Sequence, residues 1–180
     1  LHLRAGRLAE AENSFRRAIS LREEYVEPRF NLGAVYDRQG QLDKASALYL
    51  DVLRRRPDYA SANNSLGVIR ARQGKRALAA RRFEKEIEVN PRFAEAHNNL
   101  GQLLLEVKQD QAAETRLREA VRLDPLYPQA RMNLGIALKR SGKTKAALEH
   151  YLEAIRLQPR FVEAINNLGQ LRMAEGKTAE

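Results

Sequence analysis

The sequence predicts an all-α fold, a solenoid of stacked antiparallel helix pairs. Four of the six prolines follow one another at one constant interval: Pro57, Pro91, Pro125 and Pro159. A fixed period of this size, about 34 residues, is typical of a repeated supersecondary unit. Each unit also carries a Leu-Gly pair at a constant distance from its proline, as in Leu66-Gly67. The apolar residues in both halves of the unit recur at helical spacing.

Alignment on these prolines gives four complete repeats and two partial ones, with the proline at repeat position 32. The complete repeats are 26–59, 60–93, 94–127 and 128–161, and the partial ones are 1–25 and 162–180. Because each repeat of such an array contacts only its neighbours, residues 1–180 are predicted to form a single array. Neither end has a recognisable capping repeat, so we expect the segment to be part of a longer chain.

The first helix of each repeat, helix A, is predicted from the residues at repeat positions 3, 7, 10 and 11. Glycine at repeat position 15 is expected to end this helix, because a left-handed C-terminal turn costs glycine little. This glycine occurs in five of the six repeats, at Gly6, Gly40, Gly74, Gly142 and Gly176, with Lys108 in the sixth.

The second helix, helix B, is predicted from repeat positions 20, 21, 24, 27 and 28, and the proline at position 32 ends it. Position 20 is alanine and position 24 is large in every repeat that reaches them. Position 8 of helix A is always glycine, which costs about 1 kcal/mol relative to alanine inside a helix. We expect this glycine to allow close approach of helix B at the alanine of position 20.

The Leu-Gly pair, the alanine, the large residue at position 24 and the proline together resemble the tetratricopeptide repeat over essentially all 180 residues. The resemblance implies a right-handed superhelix. In such a superhelix the A helices line a concave groove and the B helices form the convex side.

Charge and composition restrict the classes of partner. The formal net charge is +9, but it is banded: residues 60–93 and 128–161 are strongly basic, whereas residues 94–127 are weakly acidic. A nucleic-acid-binding protein usually has a continuous basic face, so this pattern argues against nucleic acid.

The sequence has no cysteine and no apolar run long enough for a transmembrane helix. The sequence is compatible with either the cytoplasm or the periplasm. Its Arg- and Ala-rich composition is typical of a bacterium with high genomic GC content.

The sequence predicts no catalytic, metal or cofactor site in this segment. Ser141-Gly142-Lys143-Thr144 resembles the end of a phosphate-binding loop, but Ala137 stands where that motif requires glycine. Gly176-Lys177-Thr178 recurs at the same position of the next repeat, so we interpret both tripeptides as turns between helices. The three histidines, His2, His97 and His150, fall at unrelated repeat positions and lack the spacing of a helical zinc site.

The candidate binding residues form a column of side-chain amides on the A helices. Asparagine fills repeat position 6 at Asn31, Asn99, Asn133 and Asn167, with Ser65 in the remaining repeat, and fills position 5 at Asn64, Asn98 and Asn166. Arginine fills position 13 at Arg38, Arg72 and Arg140. An amide offers both a donor and an acceptor, so the column can pair with a peptide backbone. It is similar to the asparagine ladder of O-linked N-acetylglucosamine transferases, and this resemblance implies binding of extended polypeptide.

Three functions follow from these observations. The first is a non-catalytic scaffold that binds an extended, acidic protein segment in the concave groove. The second is the substrate-recruiting region of a larger enzyme, such as a glycosyltransferase. The third is a self-assembling module of a bacterial envelope or secretion apparatus, associating through its uncapped ends.

One further expectation concerns Arg70 and Glu86, which are both unusual for their positions in the same repeat. They either pair with each other or extend separately into solvent, since long charged side chains can cover apolar surface with their stems.

Overall fold

The computed structural model describes residues 7–177, which contain ten helices and no strand. The helices are α1 (Leu8–Leu21), α2 (Val26–Arg38), α3 (Leu42–Arg55), α4 (Ala62–Arg72), α5 (Arg76–Val89), α6 (Ala94–Glu106), α7 (Asp110–Leu123), α8 (Pro128–Arg140), α9 (Thr144–Leu157) and α10 (Val162–Lys177). The predicted class, an all-α solenoid, is confirmed. No helix in the described part of the chain is both long enough and apolar enough to cross a membrane.

The chain divides into two compact units, Leu1–Pro91 and Arg92–Glu180. The first holds α1 to α5, and within it α2 packs on α3 and α4 on α5, as the helix A and helix B of two repeats. The second holds α6 to α10, with α6 on α7 and α8 on α9. In the second unit the neighbouring A helices also touch, α6 with α8 and α8 with α10. The single array over residues 1–180 stays a prediction.

The turn between helix A and helix B follows the glycine pattern. Gly40, Gly74 and Gly142 have φ values of +76°, +73° and +74°, and Lys108 adopts +60° at the same position. The backbone N–H that follows each of these residues closes the turn, as from Lys143 to the carbonyl of Leu138 at 2.9 Å. This is the hydrogen bond of a Schellman cap. The fold therefore imposes a left-handed residue here even where the sequence supplies lysine.

The prediction of a turn at Gly176-Lys177 is wrong, because α10 continues through both residues. In the other repeats the turn is held by packing of helix A on the helix B that follows it. Gly176 lies within α10, whereas Gly40, Gly74 and Gly142 have positive φ values. Gly6, His2 and Thr178 lie outside the described residues.

The glycines at repeat position 8 are explained by a close approach, but the predicted partner is wrong. A Cβ atom added to Gly135 would lie 2.5 Å from Cε1 of Tyr151, and one added to Gly67 would lie 2.6 Å from Cε1 of Phe83. The neighbour is thus the large side chain at repeat position 24, and not the alanine at position 20. At Gly33, Gly67 and Gly135 an aromatic ring lies against the bare backbone of helix A, which leaves no space for a side chain there.

The start of α4 departs from the other A helices, since it begins two residues later in its repeat. Ser61, just before it, has a φ of +72°. Glu86 of α5 is completely buried and accepts hydrogen bonds from the backbone N–H groups of Ser61 and Asn64, at 2.9 and 3.2 Å. Arg70 donates instead to Oε1 of Gln73 at 2.8 Å. Both expectations for Glu86 are therefore wrong: it neither pairs with Arg70 nor reaches solvent, but caps the start of α4, where an anion is favourable.

Candidate functional site

The amide column lies on the A helices, but its members differ in exposure. Asn98 of α6 and Asn133 of α8 are buried, with 1% and 3% of their surface exposed. Asn31, Asn64, Asn99 and Asn167 are half-buried, and Asn166 is exposed. The column is therefore not uniformly open to a ligand. In the second unit, Asn99 and Asn167 are its more accessible members at repeat position 6.

The two buried asparagines bind each other. Asn133 donates from Nδ2 to Oδ1 of Asn98 at 2.9 Å, and Asn98 in turn donates to the hydroxyl of Tyr127 at 3.3 Å. A weaker contact of 3.4 Å joins Nδ2 of Asn98 to Oδ1 of Asn99. Buried polar groups cost free energy unless they are hydrogen-bonded, so this network stabilises the packing of α6 against α8. The role of either residue in binding stays a prediction.

Two of the three arginines at repeat position 13, Arg72 and Arg140, bridge neighbouring A helices. Arg140 donates to the backbone carbonyl of Leu105 at 2.7 Å and to Oδ1 of Asp110 at 3.1 Å. In the first unit, Arg72 of α4 donates to Oδ1 of Asp37 of α2. Arg38 is exposed. Arg140 and Leu105 are 35 residues apart along the chain, and so are Asn133 and Asn98. In both pairs a residue of one repeat contacts the residue one position earlier in the preceding repeat.

The two tyrosines at repeat position 24 differ in the partner of their hydroxyl group. Tyr49 of α3 is buried and hydrogen-bonds with Ser65 of α4, which belongs to the following repeat. Tyr151 of α9 is the equivalent residue in the second unit and is completely buried. Its hydroxyl oxygen has no hydrogen-bond partner among the described residues. Burial raises the pKa of Tyr151 to about 12, with the charge of Arg140 acting in the opposite direction.

A cleft of about 380 Å³ opens beside Tyr151 in the second unit. It lies between helices of the last two repeats and combines amides, cations and one apolar side chain. Its lining consists of Ile136, Lys139, Arg140, Tyr151, Asn167 and Gln170. The structure thus brings two predicted residues, Arg140 and Asn167, to one site. Asn166 does not line it.

Sequence reasoning missed Tyr151, Lys139 and Gln170. Tyr151 carried a signal, because position 24 of one repeat and position 6 of the next always lie at the same separation along the chain. That spacing pairs Tyr49 with Ser65 and Tyr151 with Asn167, so the sequence shows that the two tyrosines have different neighbours. Among the described residues, no group of three or more His, Asp or Glu side chains is arranged to hold a metal ion.

The repeats of this chain match known protein families. One sequence profile described as a tetratricopeptide repeat matches residues 2–66, and a second matches residues 64–128, 111–160 and 134–180. The chain belongs to the tetratricopeptide repeat family. An architecture made only of tetratricopeptide repeats is typically non-catalytic and serves as a protein-interaction scaffold. No curated protein matches the chain significantly.

Solved structures of other tetratricopeptide repeat proteins are similar to this chain. MamA is 26% identical, with a TM-score of 0.70, covering 81% of this chain and 85% of that one. TTC0263, a thermophilic tetratricopeptide repeat protein of Thermus thermophilus, is 22% identical, with a TM-score of 0.74 and coverage of 95% and 93%. YrrB, described as having an unusual peptide-binding site, is 21% identical, with a TM-score of 0.68 and coverage of 92% and 86%. The similarity to TTC0263 and to YrrB shows a shared fold.

Proposed function

We propose that this protein is a non-catalytic scaffold that binds an extended polypeptide segment along the surface of its A helices. The observation that carries the proposal is the cleft in the second unit. There Arg140 of α8 and Asn167 and Gln170 of α10 line one surface from neighbouring A helices. Amide and guanidinium groups on successive A helices can form hydrogen bonds with the carbonyl and N–H groups of a peptide backbone.

The repeat spacing supports an extended ligand. Packed helices lie about 8–10 Å apart. An extended chain advances about 3.3 Å per residue, so each A helix would meet roughly every third residue of the ligand. A half-buried amide such as Asn99 or Asn167 can then contact one backbone unit per repeat. Because backbone groups are common to all sequences, this mode of binding tolerates many ligand sequences.

The charge of the cleft favours an acidic ligand. Lys139 and Arg140 line it, and none of the described residues that line it is acidic. Arg140 also contacts Asp110, which neutralises part of its charge. A ligand carboxylate would therefore meet a positive surface at this end of the second unit. The substrate-recruiting and self-assembling functions stay predictions, as no contact in the described residues favours either.

The experiment is a binding titration of a fluorescent decapeptide library with the wild type and a double variant, Asn99→Ala with Asn167→Ala. We expect the variant to bind at least about tenfold more weakly, equivalent to about 1.4 kcal/mol. The matched control is Gln111→Ala with Gln158→Ala, which removes two exposed amides outside the A helices. Equal affinity of the wild type and the Asn99/Asn167 variant would overturn the proposal.

A further inference from the structure

We propose that the cleft beside Tyr151 is a selective subsite for one carboxylate side chain, Asp or Glu, of the bound polypeptide. This inference rests on the proposed function and adds a sequence requirement to it. Backbone contacts elsewhere on the A-helix surface would accept any residue, whereas this subsite would fix the register of the ligand at one acidic position.

The first observation is the unsatisfied hydroxyl of Tyr151. Its oxygen is buried without a partner among residues 7–177, although the equivalent hydroxyl of Tyr49 has Ser65. Packing does not require the hydroxyl, since phenylalanine fills the same repeat position at Phe83. An unsatisfied buried hydroxyl costs free energy in the unliganded protein. A ligand acceptor that pairs with it would recover that free energy on binding.

The second observation is the composition of the cleft that Tyr151 lines. Lys139 and Arg140 supply positive charge, and Asn167 and Gln170 supply amide N–H donors. A carboxylate accepts hydrogen bonds at two oxygens with about four lone-pair sites. It therefore matches the lining of the cleft, whose polar side chains are mostly hydrogen-bond donors. A neutral carbonyl would use the same donors without the attraction of the two cations. Hydrogen bonds to a charged partner are about twice as strong, so the cleft favours the acid over its amide.

The third observation concerns access. The hydroxyl of Tyr151 is covered, so a ligand reaches it only when a neighbouring side chain moves. We assign Asn167 as that side chain, because it fills repeat position 6 after Tyr151 as Ser65 does after Tyr49. Asn167 is half-buried and lines the cleft. A rotation of this side chain would let a ligand carboxylate reach the Tyr151 hydroxyl while the Asn167 amide still donates to the carboxylate from the cleft wall.

The size of the site fits this occupant. The volume of about 380 Å³ lies at the lower end of the range for small-molecule sites. It accommodates one side chain with its adjoining backbone. Ile136 gives the methylene groups of an acidic side chain an apolar surface.

The test uses two decapeptide libraries of Gly, Ser and Thr that differ only in one central residue, Glu or Gln. Binding is measured by fluorescence anisotropy for the wild type, for Tyr151→Phe and for Tyr49→Phe. We expect the wild type and Tyr49→Phe to prefer the Glu library by at least about fivefold. Tyr151→Phe should bind the Gln library as the wild type does and lose most of the preference for Glu.

Thermal unfolding of the same variants separates binding from folding. Tyr151→Phe removes an unsatisfied hydroxyl and should not lower Tm, whereas Tyr49→Phe removes a hydrogen bond and should lower it. A second variant, Lys139→Gln, should also reduce the preference for Glu, because it removes a cation from the cleft. Equal binding of both libraries by the wild type, or a full preference in Tyr151→Phe, would overturn the carboxylate subsite and leave the proposed function in place. Failure of the wild type to bind either library would overturn both.

Discussion

Asn133 donates a hydrogen bond of 2.9 Å from its side-chain amide to Oδ1 of Asn98, in the preceding repeat. Both residues belong to the amide column that the sequence suggests as a ligand-binding surface, and both are buried. In these two residues the amide groups join one A helix to the next. Ligand binding stays our proposal for the more exposed amides of the column.

The Asn98–Asn133 pair should be energetically coupled. Asn133→Ala leaves Oδ1 of Asn98 without its donor in a buried site, so we expect a loss of about 1–3 kcal/mol in the free energy of unfolding. Asn98→Ala should cost a similar amount, and the double variant should cost less than the sum of the two. Urea unfolding of the four proteins measures this coupling, and additive single losses would show that the pair contributes nothing.

The glycines at repeat position 8 should respond to alanine with opposite signs. Gly135→Ala places a Cβ atom 2.5 Å from the ring of Tyr151, so overpacking should destabilise the protein by about 1–3 kcal/mol. A Cβ atom at Gly169 would have no neighbour within 4 Å, so Gly169→Ala should stabilise α10 by up to about 1 kcal/mol. Chemical unfolding of the same chain compares the two, and a gain from Gly135→Ala would contradict the packing explanation.

Lys108 should be a removable source of strain. Its φ of +60° is left-handed, a conformation that costs a residue with a Cβ atom roughly 1 kcal/mol relative to glycine. Lys108→Gly should therefore raise the free energy of unfolding by about 0.5–1 kcal/mol. The reverse change, Gly142→Lys, should lower it by a similar amount at the equivalent turn. If both changes are neutral, backbone conformation does not explain the glycine at repeat position 15.

His150 should make stability fall in mild acid. Burial lowers the pKa of His150, the charges of Arg131 and Arg118 lower it further, and Glu149 opposes them. The unfolded chain therefore binds a proton more readily than the folded protein below the ordinary value of 6.5. Stability is full above that pH and is lost as the pH falls toward the lowered pKa of the folded state. In unfolding experiments at about pH 7 and 5.5, His150→Gln should lose less stability than the wild type. An identical loss would exclude His150 as the cause.

The fold was predictable from the sequence because its period is enforced by backbone requirements. Proline ends helix B, and a left-handed residue ends helix A, so both are visible in a single sequence. The close contact of Gly135 with Tyr151 was predictable only in part. The glycine indicated a close neighbour, but which residue of helix B reaches it depends on the rotation of the two helices.

The site was predictable only as a set of candidates. Repeat position alone does not distinguish Asn133, which is buried against Asn98, from Asn167, which lines a cleft. Asn133 finds an acceptor in Asn98 at position 5 of the preceding repeat, whereas Met132 fills that position before Asn167. Glu86 shows the same limit, since its burial depends on two backbone N–H groups left exposed by the late start of α4. Neither group is visible as a pattern of residue types.

The most direct measurement is a map of amide chemical shifts of the isotopically labelled protein during titration with the Glu-containing decapeptide library. The proposed function predicts that the shifts concentrate on the A helices, at Asn99, Ile136 and Asn167, and leave exposed residues of the B helices such as Gln111 unchanged. Shifts confined to the B helices, or none at saturating peptide, would contradict binding of extended polypeptide on the A-helix surface.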